Sequence, residues 1–96
     1  MFKREANNIG FWLQQSAKIV DVRTQVEYVG FHIPGAIHIP YDEITQQIEA
    51  IRSWDTPVIL YSTYGLRSRV AAVELRKNGI SAIATTRDRL CELLAI

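Results

Sequence analysis

A chain of 96 residues that is 48% apolar and carries a formal net charge of +1 can hold one hydrophobic core, which excludes disorder and a strongly basic nucleic-acid-binding surface. No apolar run approaches the ~20 residues of a membrane span, and residues 1–8 lack the apolar stretch of a signal peptide, so no membrane partner and a cytoplasmic location are expected. The single cysteine, Cys91, rules out an internal disulfide.

The whole chain, residues 1–96, is read as one domain. Residues 5–16 are expected to form an amphipathic helix with Ile9, Trp12 and Leu13 on one side. Lys18 to Val22 reads as a β-branched strand bounded by polar residues. Thr24 is placed to cap a short helical turn that carries Glu27 and Tyr28. The turn Ile33-Pro34-Gly35 leads into a short extended segment around Ile37. Asp42 is a good N-cap for a helix with Ile44, Ile48 and Ile51 at i, i+4 and i+7. The unbroken apolar run of residues 57–61 suits a strand covered on both faces. A helix over about 67–78 ends at Asn78-Gly79, with Gly79 as the left-handed residue and Leu75 against Ile80. A strand from Ile80 to Ala84 and a last helix with Leu90, Leu93 and Leu94 complete the chain. This alternation predicts an α/β fold: a small, mostly parallel sheet with helices on both faces.

Ligands of such sheets sit at the carboxyl ends of the strands, where the loops after Val22 and after Tyr61 both open. The second loop carries the chemistry. Strand, tight turn and helix in immediate succession bring backbone N–H groups and a positive helix end to one point, an arrangement suited to an anion. Ser62 stands first in that loop, followed by Thr63, Tyr64, Gly65, Leu66, Arg67 and Ser68. Gly65 supplies a positive φ, and the amides of residues 63–67 are expected to hold an anion whatever the side chain at position 62. Arg67 is expected near the loop mouth or on a carboxylate. His32 reads as a packed turn histidine, Cys91 as a buried inert thiol, and His32 with His38 makes no metal-ligand spacing.

The segment Ser62-Thr63-Tyr64-Gly65-Leu66-Arg67-Ser68 resembles the active-site loop of the rhodanese family, Cys-x-x-Gly-x-Arg-Ser. Asp21-Val22-Arg23, then Glu27-Tyr28, then His32-Ile33-Pro34-Gly35-Ala36 is similar to that family's second motif, and the two matches span about residues 18–80 in the family's order. The resemblance implies a single-domain rhodanese-like sulfurtransferase. Its loop would be an anion-binding cradle, Ser62 would hold the position of the nucleophilic cysteine, and Arg67 would be a second catalytic residue. Asp21, Arg23 and His32 would support it, through an Arg23–Glu27 ion pair and hydrogen bonds from loop backbone to Asp21. The expected partners are a small sulfur-containing anion such as thiosulfate and a sulfur-relay protein; no cofactor and no metal are implied. Serine cannot carry a persulfide, so no sulfur transfer is expected from the sequence as it stands. Two readings of Ser62 stay open: an enzyme whose cysteine has been replaced, and a naturally non-catalytic module that binds an anion or a protein. Four residues separate Ser62 from Arg67, one fewer than in the phosphatases of related fold, which disfavours phosphate chemistry.

Overall fold

The computed structural model describes residues 8–96, and among them four strands form one parallel sheet in the order β2-β1-β3-β4. The strands are β1 (Lys18–Asp21), β2 (Ile37–His38), β3 (Val58–Ser62) and β4 (Ala82–Thr86). Registers run Val20 to Ile37, Lys18 to Val58 and Val58 to Ala82, ending with Ser62 beside Thr86. The sheet is parallel because each strand is joined to the next by a helical crossover rather than a hairpin.

Period-two alternation on β3 divides the core. Val58 and Leu60 face one way, with Val20, Ala71, Ala72, Leu75, Ile44, Ile48 and Ile51. Ile59 and Tyr61 face the other, with Ile9, Ile33, Ile83 and Leu90. Both layers are buried, which is why the run over 57–61 shows no polar alternation. On the first face lie a 3₁₀ segment (Tyr41–Gln47) and the helices α3 (Ile48–Ser53) and α4 (Leu66–Lys77). On the second lie α1 (Ile9–Leu13) and α5 (Arg87–Leu94). Helix α2 (Gln25–Gly30) has no buried residue and sits at the carboxyl edge of the sheet.

Several element ends differ from the sequence reading, each for a local reason. Helix α1 starts at Ile9 because the Asn8 side chain accepts from the Phe11 amide at 3.0 Å; residues 5–7 of the expected helix lie outside the described residues. Asp42 is not a cap. Pro40 starts the segment, Glu43 N–H bonds the Pro40 carbonyl at 2.8 Å, and the chain runs as a 3₁₀ coil before α3. Ile44, Ile48 and Ile51 still reach the core. Helix α4 ends as expected, with Ile80 N–H on the Leu75 carbonyl at 3.1 Å, Gly79 N–H on Arg76 at 3.0 Å, and Gly79 at φ 79°. This cap consumes the Ile80 amide, so β4 begins at Ala82 rather than Ile80. In α5 only Leu90 is fully buried; Leu93 and Leu94 are exposed, and Cys91 is half-buried rather than buried.

Candidate active site

The loop between β3 and α4 is built around the side chain of Ser62. Position 62 shares its face with Val58 and Leu60, so its side chain points under α4. The Ser62 Oγ accepts from the amides of Gly65 at 3.0 Å and Ser68 at 3.2 Å, and donates to Ser68 Oγ at 3.0 Å. Ser68 Oγ lies in turn 3.0 Å from the Gly65 carbonyl and 2.9 Å from the Thr85 carbonyl on β4. Both serines are fully buried. Gly65 has φ 91° and ψ −15°, and it is the residue that precedes the first turn of α4. A Cβ there would lie in ordinary contact with Thr86 Cγ2 at 3.4 Å, so the positive φ rather than lack of space calls for glycine.

Of the amides of residues 63–67 expected to hold an anion, one depends on the side chain at position 62. The Gly65 amide is already committed to the Ser62 side chain. The Gly65 and Ser68 amides converge on the atom at position 62. A group that ionises there has its negative charge met by two amides and the positive end of a 12-residue helix.

Arg67 stands on the first turn of α4 and forms a bidentate pair with Glu27 of α2, Nη1–Oε1 2.9 Å and Nη2–Oε2 3.1 Å. The loops after β1 and β3 therefore do meet. Glu27 also closes the capping box of α2: its Oε1 accepts from the Thr24 amide at 2.9 Å, and Thr24 Oγ1 accepts from the Glu27 amide at 3.3 Å. The Arg67 hydrogen bonds, with help from Thr24, hold the Glu27 carboxyl at about 2, against the resistance of partial burial.

The expected Arg23–Glu27 ion pair is absent. Arg23, in the loop just beyond β1, instead lies back on Asp21, with Nη2–Oδ2 2.8 Å and Nε–Oδ1 3.1 Å. Asp21 does accept from loop backbone as expected, from Arg23 N at 2.8 Å. Arg23 Nη2 also reaches the Phe31 carbonyl. Tyr61 completes this cluster: its hydroxyl donates to Asp21 Oδ2 at 2.6 Å and accepts from the Ile33 amide at 3.0 Å. Burial, then the hydrogen bond to Asp21, push the Tyr61 phenol upward. Among the described residues no buried side-chain nitrogen or oxygen lacks a partner. His32 is a packed turn histidine, with Nδ1 2.9 Å from the Tyr28 carbonyl and its ring stacked on Tyr28 at 3.8 Å. His38 stacks near the same ring at 4.4 Å, and its Nε2 lies 2.8 Å from the Arg23 carbonyl.

Thr63, Tyr64 and Leu66 border the loop, with Tyr64 and Leu66 exposed. Sequence reasoning missed Tyr61 and the true partner of Arg67. A polar hydroxyl inside an apolar run was the available signal for Tyr61, since buried tyrosines find hydrogen-bond partners. A cleft of about 270 Å³ lies away from this chemistry, at the amino edge of the sheet between Arg52, Asp55, Thr56 and Ser81. Among the described residues no cluster of three or more His, Cys, Asp or Glu could hold a metal, and no helix is long and apolar enough to cross a membrane.

A family model described as a rhodanese-like domain matches residues 10–86. The chain is 44% identical over 69 residues to the uncharacterized protein YqhL of Bacillus subtilis, an alignment covering 72% of this chain and 54% of that protein. It is 37% identical over 70 residues to the thiosulfate sulfurtransferase GlpE of Pseudomonas fluorescens, covering 73% of this chain and 63% of that protein. The chain thus spans 54% and 63% of the length of these two relatives. A crystal structure from Staphylococcus saprophyticus is similar with a TM-score of 0.68 and 30% identity, covering 74% of this chain and 70% of that one.

Proposed function

The chain belongs to the rhodanese-like family, and on that premise we propose that its 62–68 loop is a sulfurtransferase site held silent by serine at position 62. The observation that carries this reading is the convergence of the Gly65 and Ser68 amides on the side-chain atom of residue 62. With cysteine there, the same amides and the α4 dipole stabilise a thiolate, lowering a pKa that is ordinarily about 8.5. The thiolate attacks the outer sulfur of thiosulfate. A new S–S bond forms, the bond to the sulfonate breaks, and sulfite leaves with the electron pair. Cyanide or an acceptor thiolate then attacks the outer persulfide sulfur, that S–S bond breaks, and the cysteine thiolate is restored. The cycle balances without a redox cofactor. Serine supports neither half: its hydroxyl is a far weaker acid, and an oxygen cannot be the inner atom of a persulfide.

In this reading Arg67 and Ser68 complete the loop, while Asp21, Arg23 and His32 hold the backbone around it. Thiolate chemistry suits the reducing cytoplasm, where we place the protein. The second reading is a non-catalytic binding module. It is favoured by the Ser62 hydroxyl itself, whose donor and acceptor sites are all satisfied within the loop. Thiocyanate production from thiosulfate and cyanide separates the two. Ser62→Cys is expected to turn over while the serine protein does not. Turnover by the serine form, or none by the cysteine form with thiosulfate and with organic persulfides, refutes the sulfurtransferase reading.

A further inference from the structure

Helix α4 is apolar on two sides. On its inner side Ala71, Ala72 and Leu75 are buried in the core. Its outer side carries Leu66, Val70 and Val73 at i, i+4 and i+7, which are 66%, 55% and 42% exposed. Residues at this spacing stand one above another on a helix, so the three form a continuous ridge about 10 Å long. The ridge starts in the 62–68 loop itself, where Tyr64 is also exposed. A helix that has already buried one face and still presents apolar side chains on the other has the pattern of an interface.

The free charges beside the ridge are mostly of one sign. Arg69 and Arg76, seven residues apart, share one flank, and Lys77 follows Val73 by one turn. Among the described residues none of these three is in an ion pair, and Arg76 spends one nitrogen on the Ala82 carbonyl at 2.9 Å. The other flank carries Arg67, whose charge is met by Glu27, and a single acid, Glu74. A second copy docked antiparallel through the same face would set the Arg69–Arg76 row against itself, which is repulsive. A nucleic acid would find few phosphate contacts here and would leave the ridge in water.

We infer that the outer face of α4 is a docking surface for an acidic protein partner, one that lays an apolar strip over Leu66, Val70 and Val73 and sets carboxylates against Arg69, Arg76 and Lys77. Because the ridge begins in the loop, a partner seated on it has its edge at the mouth of the turn that holds Ser62. The surface goes beyond the chemistry proposed for the loop and holds whether residue 62 reacts or not.

The probes are three helical peptides: one with leucines at i, i+4 and i+7 flanked by glutamates, one with the same leucines flanked by lysines, and a scramble of the first. Each is titrated into the protein with serine at position 62, and the amide signals of residues 66–77 are followed. The glutamate peptide is expected to shift them and to bind about tenfold more tightly than the other two. Val70→Ser, on the solvent side, should weaken it about fivefold. Arg69→Glu with Lys77→Glu should reverse the preference between the two charged peptides. No binding by the glutamate peptide, equal binding by the scramble, or a preference that survives the charge reversal overturns the inference. So does a dimer that Val70→Ser dissolves, which gives the face to a second copy, and so does tighter binding of a short DNA duplex at the same amides. Turnover separates the docking from the sulfurtransferase reading. In the Ser62→Cys background, Val70→Ser should slow persulfide transfer to a glutamate peptide bearing a terminal cysteine, about fivefold in kcat/KM, while thiocyanate production from cyanide is unchanged. Equal effects on both acceptors overturn the docking; no turnover with any acceptor refutes the sulfurtransferase reading instead and leaves the titration to decide the docking.

Discussion

Two bidentate arginine–carboxylate pairs flank the loop, and their different burial makes them a controlled comparison. Asp21 and Arg23 are 0% and 3% exposed, whereas Glu27 and Arg67 are 33% and 28% exposed. Removing one charge from a buried pair leaves the other uncompensated and costs about 3–5 kcal/mol. Asp21 carries more than the pair, because the Tyr61 hydroxyl and the Arg23 amide also lie on its oxygens. Asp21→Asn is therefore expected to cost about 3–5 kcal/mol, a large part of the ~5–15 kcal/mol that stabilises a typical domain. Glu27→Gln removes the same charge at the same kind of fork, yet solvent screens it, and the expected cost is about 1 kcal/mol or less. Urea unfolding followed by tryptophan fluorescence measures both, with Trp54 packed on one core layer and Trp12 on the other. A cycle with Arg23→Met supplies the control: with no guanidinium left to bury, Asp21→Asn should cost about 2 kcal/mol less. Equal losses for Asp21→Asn and Glu27→Gln, or no coupling to Arg23, would refute the view that burial decides what these pairs contribute.

Two further outcomes follow from the geometry. Gly65→Val should lower stability by at least ~1–2 kcal/mol, because φ 91° is hostile to a β-branched residue. Leu66→Ala, trimming an exposed side chain, should be mild, and thermal melts showing equal effects would remove Gly65 as the conformational hinge. The Glu27 carboxyl is depressed from 4.5 to about 2, so its pairing stabilises the fold fully above pH 4.5 and is lost as pH falls through about 2. The stability difference between the unsubstituted protein and Glu27→Gln, at most about 1 kcal/mol for so exposed a pair, should shrink over that window in an acid titration; a difference that holds constant down to pH 2 contradicts the pairing.

Local rules carried much of the architecture. The order of strands and helices, the Gly79 cap, the Thr24 cap and the Gly65 turn all depend on residues within a few positions of one another, and such short-range chemistry is legible in sequence. The errors came where two local rules competed. Glu27 lies four residues after Arg23, a spacing that suggests a pair, but Thr24 and Arg67 hold the carboxylate, while Arg23 turns back on Asp21, which also accepts from its amide. Asp42 lost its cap role to Pro40, and Ile80 was taken from β4 by the helix cap. Tyr61 was hidden for another reason: its partners, Asp21 and Ile33, are brought to it by the sheet and the 31–33 turn, and no pattern in residues 57–61 names them.

Tyr61 and Ser62 are neighbours in the chain, yet the pleat turns them to opposite faces of β3. The tyrosine belongs to the lattice of hydrogen bonds that fixes the loops, and the serine belongs to the cradle beneath α4. The two faces can thus change separately. A single nucleotide change could exchange the atom at 62, sulfur for oxygen and back, without touching the hydrogen bonds of Tyr61 on the opposite face. Enzyme and silent relative can share one architecture and differ only in whether the cradle holds an atom able to accept sulfur.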